Sequence, residues 1–129
     1  MSKKIISTDK APQAVGPYSQ AVVLEKLNLI FVSGQIALTP GSKELIRGGI
    51  VEETKQVLEN LKNILEEAGS ALEKVVKTTV FLRSMDDFGL MNETYNQYFK
   101  SNFPARSTVQ VPALPKGARV EIEAIAYRE

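Results

Sequence analysis

The 129 residues include no cysteine and no histidine. Without cysteine there are no disulfides and no thiolate chemistry; without histidine there is no Ser-His-Asp triad, and the usual zinc and iron sites lose their commonest donor. Long apolar runs are also missing, and none approaches the roughly 20 residues that span a bilayer. At the start, Met1-Ser2-Lys3-Lys4-Ile5-Ile6 sets two lysines before only two apolar residues. That is not the apolar stretch of a secretory signal, so the expected location is the cytoplasm. Nor is there an excess of one charge: 16 Lys+Arg against 15 Asp+Glu leave a formal net charge of +1. The basic surplus of a phosphate-backbone binder is lacking, and nucleic acid is not an expected partner.

What remains is ordinary globular composition, 43% hydrophobic and 24% charged, over a length that suits one domain spanning residues 1–129. Proton transfers in such a chain fall to carboxylates, Tyr, Lys, Ser/Thr or water, with Arg available to hold a substrate. This suits a reaction that needs little chemical force, with neither metal nor cofactor expected.

Periodicity supplies the elements. Ile5 to Thr8 reads as a short first strand, and Ala11-Pro12-Gln13-Ala14-Val15-Gly16-Pro17 as a loop. Ser19 to Leu24 and Leu29 to Gly34 read as a hairpin. From Ile50 to Ala68, apolar or small residues at Ile50, Thr54, Val57, Leu58, Leu61, Ile64, Leu65 and Ala68 mark the buried face of a helix, with Gly69 as its C-terminal cap. Ser70 with Glu73 is expected to cap a following turn. Val75 to Leu82 is β-branched and reads as a central strand. Asp86 or Asp87 is expected to cap a second helix, in which Met91, Tyr95, Tyr98 and Phe99 share one side and which ends before Pro104. Ala105 to Val111 and Arg119 to Tyr127 supply the last strands. The class is therefore α+β, with each strand-helix-strand crossing parallel and two helices covering one face of a mixed sheet. The other face is left for solvent or for partner subunits.

Strand alternation sets Arg106, Thr108 and Gln110 on one side of their strand. In the last strand Val120, Ile122, Ala124 and Ala126 form an apolar face, while Glu121 and Glu123 share the other. If these strands are neighbours, the acids lie near Arg106. Taken singly, such residues have plain explanations: Arg106 a surface salt bridge, the acids solvation, Tyr18 a loop aromatic, Gly34 a bulge or close approach, Asn92 a solvated helix residue.

Taken together, Gly16-Pro17-Tyr18-Ser19-Gln20, Val32-Ser33-Gly34-Gln35-Ile36, Val76-Lys77-Thr78-Thr79-Val80-Phe81 and Phe103-Pro104-Ala105-Arg106-Ser107 resemble the Rid/YjgF family in order and spacing. Leu114-Pro115-Lys116 and Val120-Glu121-Ile122-Glu123-Ala124-Ile125-Ala126 extend the resemblance over nearly the whole chain. It implies a chorismate-mutase-like fold, a homotrimer with a central barrel, and active sites in clefts between subunits. It also implies a metabolite-damage-control hydrolase, a 2-iminobutanoate/2-iminopropanoate deaminase. Such an enzyme converts enamine/imine intermediates, such as 2-aminoacrylate from pyridoxal-phosphate dehydratases, to 2-keto acids and ammonia.

By this resemblance Arg106 grips the substrate carboxylate, Tyr18 lines the cleft, and Glu121 orients the attacking water or handles its proton. Ser33, Gly34 and Asn92 match further cleft positions. Thr108 stands where many relatives carry cysteine, so any thiol redox or halogenation behaviour tied to that residue is not shared. The alternative is a non-catalytic module that binds a small carboxylate such as a 2-keto acid. RNA cleavage, also attached to the family, fits poorly with a near-neutral chain lacking histidine.

Overall fold

A computed structural model describes residues 2–129. Its strands are β1 (Lys3–Ile6), β2 (Ala21–Leu24), β3 (Leu29–Gln35), β4 (Val75–Leu82), β5 (Ala105–Gln110) and β6 (Val120–Tyr127), and its helices are α1 (Ile50–Glu67) and α2 (Phe88–Tyr98). The expected α+β class holds: the described residues build a six-stranded mixed sheet in the order β1-β2-β3-β6-β4-β5. All pairs are antiparallel except β4 with β5. The β4-α2-β5 crossing is parallel as expected. Across α1, however, β3 and β4 run the same way without pairing, because β6 inserts between them.

Both helices lie on one face. Val57, Leu58, Leu61, Ile64 and Leu65 of α1 are fully buried with Ile30, Val80, Leu82 and Ile122 of the sheet. Each such side chain contributes about 1.5–3 kcal/mol relative to exposure. Helix α1 closes in a Schellman motif: Gly69 has φ +83°, its N–H donates to the Glu66 carbonyl (3.1 Å), and Ser70 N–H donates to the Leu65 carbonyl (2.8 Å). The opposite sheet face leaves Phe31, Val109 and Tyr127 exposed.

Three local expectations shift. The first strand ends at Ile6, because the backbone of Thr8 is claimed by the buried Gln20 side chain, which accepts from Thr8 N–H (2.7 Å) and donates to the Thr8 and Pro12 carbonyls. Ser70 caps no turn; its hydroxyl donates to the Tyr127 carbonyl (2.6 Å). Neither Asp86 nor Asp87 caps α2 through its side chain. A short 3-10 turn, Met85–Asp87, leads into the helix, and Ser84 Oγ accepts from Asp86 N–H (3.2 Å).

One charged group is held deep in the fold. Glu53 of α1 is 1% exposed, and its carboxylate accepts from Arg119 N–H (2.9 Å) and from Arg119 Nη1 (2.8 Å). The bond fixes the start of β6 against α1. Removing the guanidinium takes the charged partner from a buried carboxylate. Because the Arg119 side chain is 41% exposed and its backbone N–H bond to Glu53 survives the change, Arg119→Ala is expected to lower unfolding stability by about 1–2 kcal/mol in urea denaturation; no measurable loss would mean that water replaces the guanidinium.

Candidate active site

Side-chain parity decides where the site residues go. Arg106 pairs with Thr78 of β4, and Thr78 pairs with Ala124 of β6. Thr78 and Ala124 are buried under the helices, so Arg106 points to the helical side. Glu121 pairs with Phe81, an odd step away, and points to the uncovered side. Strands β5 and β6 are not neighbours, because β4 lies between them. The expected closeness of Arg106 to Glu121 and Glu123 is thus corrected: within one chain, Arg106 and the acids occupy opposite faces.

Two separate clefts result. One, of about 520 Å³, is lined in part by Tyr18, Ser33, Gly34, Lys116, Glu121 and Glu123. Tyr18, half exposed, rides on the glycine-proline loop, where its N–H donates to the Gly16 carbonyl (2.8 Å) and its hydroxyl accepts from Val15 N–H (3.3 Å). Ser33 ties β3 to that loop: its N–H donates to the Gln20 carbonyl (2.9 Å) and its Oγ to the Ser19 carbonyl (2.5 Å). Gly34 sits in a bulge where the β3–β6 register slips between Val32 and Gln35. A Cβ there would collide with Glu121 Oε2 and lie 2.9 Å from its Cδ, so glycine is what lets the carboxylate approach the strand. Burial first, and then the charge of Glu123, raise the Glu121 pKa above the ordinary glutamate value.

The second cleft, of about 350 Å³, is lined by Asn92, Tyr95, Asn96, Phe103, Pro104 and Arg106. The Arg106 guanidinium lies 4.8 Å from the Tyr95 ring centroid and 5.7 Å from that of Phe88. No carboxylate among the described residues forms a salt bridge with it. Tyr95 is buried, which raises its pKa and keeps the phenol protonated, and its hydroxyl meets Thr78 Oγ1 at 2.8 Å. Thr108 lines neither cleft; its Oγ1 is buried and without a hydrogen-bond partner among the described residues.

Sequence reasoning thus named residues of both clefts; its placing of the acids beside Arg106 fails within one chain, and it missed Phe88, Tyr95 and Phe103 as cleft residues. A signal existed for two of these: Phe88, Asn92 and Tyr95 are spaced i, i+4, i+7 on one helical face. Among the described residues no group of three or more Asp or Glu side chains is arranged to hold a metal ion, and no helix is long and apolar enough to cross a membrane.

The likenesses to known proteins cover the same ground. A family model described as Endoribonuclease L-PSP matches residues 8–128. YyfA of Yersinia pestis, from the conserved Rid protein family, has a crystal structure that superposes with a TM-score of 0.93 at 46% identity, covering 98% of this chain and 99% of that one. This chain belongs to the Rid family. Its Rid relatives include the human 2-iminobutanoate/2-iminopropanoate deaminase, 56% identical over 126 residues, which are 98% of this chain and 90% of the human one. A crystal structure of a Thermotoga maritima protein is 55% identical, with a TM-score of 0.93 and 98% of each chain covered.

The Gly34–Glu121 packing of this Rid chain has a measurable consequence. In Gly34→Ala the added methyl is expected to drive the Glu121 carboxylate toward water rather than unfold the strand. Circular dichroism should stay unchanged while the Glu121 pKa, followed by carbon-detected NMR titration, falls toward the ordinary glutamate value. An unaltered titration would show that the carboxylate had not yielded.

Proposed function

We propose that this chain is a 2-iminobutanoate/2-iminopropanoate deaminase, acting in the cytoplasm as a homotrimer whose clefts join Arg106 of one copy to Tyr18, Ser33, Gly34 and Glu121 of the next. The carrying observation is the uncommitted guanidinium of Arg106, a buried-edge cation facing a cleft with no acid beside it. A planar fork of that kind suits a bidentate carboxylate, which every 2-imino acid presents. Identity to named deaminases over 98% of the chain supports the same reading.

The chemistry is hydrolysis. With the substrate nitrogen protonated, C2 is electrophilic, and Arg106 holds the carboxylate so that C2 faces the neighbour's Glu121. Glu121 as carboxylate takes a proton from water as the C–O bond forms, giving a tetrahedral aminoalcohol. Glu121 returns the proton to nitrogen, which makes ammonia the leaving group; as the C–N bond breaks, Glu121 takes the hydroxyl proton while the C=O bond forms and hands it to the departing ammonia, so the 2-keto acid and ammonium leave. Tyr18 and Ser33 line the neighbouring wall, and Asn92 lies on the Arg106 side as a further donor. Positioning and a directed water are the main sources of rate.

The test generates 2-aminoacrylate with a serine dehydratase and follows keto-acid release. Arg106→Ala is expected to lower kcat/KM by about 100-fold or more, and Arg106→Lys to recover little of it. Equal rates for wild type and Arg106→Ala would overturn the mechanism. Saturable 2-keto-acid binding without faster imine decay would make the protein a binding module instead. Light scattering should give three times the mass of one chain.

The pH dependence has a definite sign. Glu121 acts as carboxylate, so activity is present above its raised pKa and lost as pH falls through it. Because Glu123 contributes to that elevation, Glu123→Gln should lower the Glu121 pKa and move the acid limb of kcat/KM to lower pH. A limb that stays in place would remove Glu121 from the titrating step.

A further inference from the structure

We infer that Tyr95, locked by Thr78, is a positioning residue that sets the plane of the Arg106 guanidinium and thereby the selection of carboxylate-bearing substrates. The inference rests on the reading of Arg106 as the carboxylate grip.

A connected set of contacts carries it. Tyr95 of α2 is 3% exposed, and its ring lies under the guanidinium at 4.8 Å, with Phe88, two helical turns earlier, at 5.7 Å. Its hydroxyl is joined at 2.8 Å to Thr78, a fully buried residue of β4. Thr78 is also the strand partner of Arg106. The backbone that carries the guanidinium and the ring that supports it are therefore both referenced to one residue, through a ladder pair on one side and a hydroxyl pair on the other. Phe99 also packs against Tyr95, with ring centroids 4.5 Å apart and planes inclined by 32°, which restrains the ring.

An aromatic support does something that a carboxylate partner would not. An acid would orient the guanidinium by occupying its N–H groups and cancelling its charge. A ring face engages the cation without consuming a donor, so the edge of the fork stays free and charged for the ligand. Bidentate recognition needs the fork coplanar with the carboxylate, so fixing the plane favours substrates with that group and does little for an imine without it.

The experiment compares hydrolysis of a 2-imino acid with that of the matching imine lacking the carboxylate, for wild type, Tyr95→Leu, Tyr95→Phe and Phe88→Leu. For Tyr95→Leu the expected result is a KM for the imino acid raised about tenfold, kcat within about twofold, and selectivity for the acid over the neutral imine reduced about tenfold. Tyr95→Phe, which keeps the ring and loses the Thr78 bond, should show the same changes at about threefold. A purely structural role would lower activity toward both substrates alike, and that outcome, or an unchanged KM, overturns the inference. If Tyr95→Leu does not fold, Tyr95→Phe and Phe88→Leu decide the matter by the same selectivity ratio. Wild type without imine hydrolysis would instead refute the deaminase reading, a result distinct from any variant effect.

Discussion

Strand β4 touches both β5 and β6, and this single adjacency governs what the chain can do alone. Because β4 separates the two strands and parity alternates along each, Arg106 and Glu121 are directed to opposite faces of one sheet. No rotamer change carries a side chain through a sheet. The proposed reaction, which uses both groups, would draw them from two copies and so make assembly a condition of activity. The uncovered face, with Phe31, Val109 and Tyr127 exposed beside Glu121 and Glu123, is the surface that such a neighbour would have to meet.

The fold treats its charges in two ways. Glu53 and Arg119 are fully partnered, and their bond joins α1 to the start of β6, two residues before Glu121. Arg106 and Glu121 are left without counter-ions, one on aromatic rings and the other half-buried near a second acid. An unpaired, partly desolvated charge is destabilising in a resting fold, and it is kept where a ligand supplies the missing partner. The arrangement is self-consistent: a 2-imino acid brings a carboxylate for the first group and an iminium for the region of the second.

Local pattern carried much of this. The period of α1, the Gly69 stop, the hairpin and the β-branched β4 follow from residues close in sequence, and each emerged within a few positions of expectation. Strand order did not, because β6 enters between β3 and β4 from the far end of the chain, and no local signal encodes that pairing. The misplacement of Glu121 followed directly. The same gap explains why Gly34 could be suspected of a bulge while its true neighbour, the Glu121 carboxylate, stayed hidden. Gln20 was legible as part of a motif, but not as the side chain that replaces a strand pairing at Thr8. Tyr95 was legible as a core aromatic; its ring face under Arg106 depended on knowing which strand lay beneath α2.

The proposed chemistry suits a chain with neither cysteine nor histidine. A protonated imine is already activated toward water, so the protein needs neither a strong nucleophile nor a base poised near neutrality. In the proposed reaction a carboxylate whose pKa is raised by burial accepts a proton that a nearby amine takes back. The harder requirement is discrimination, since a pocket that admitted any imine would not distinguish one small molecule from another. That task falls on Arg106, whose donors form no salt bridge among the described residues, and the aromatic rings beside it engage it without using them. Rate here depends on where the substrate is held, and the residues that hold it are those that the chain spends no counter-ion on.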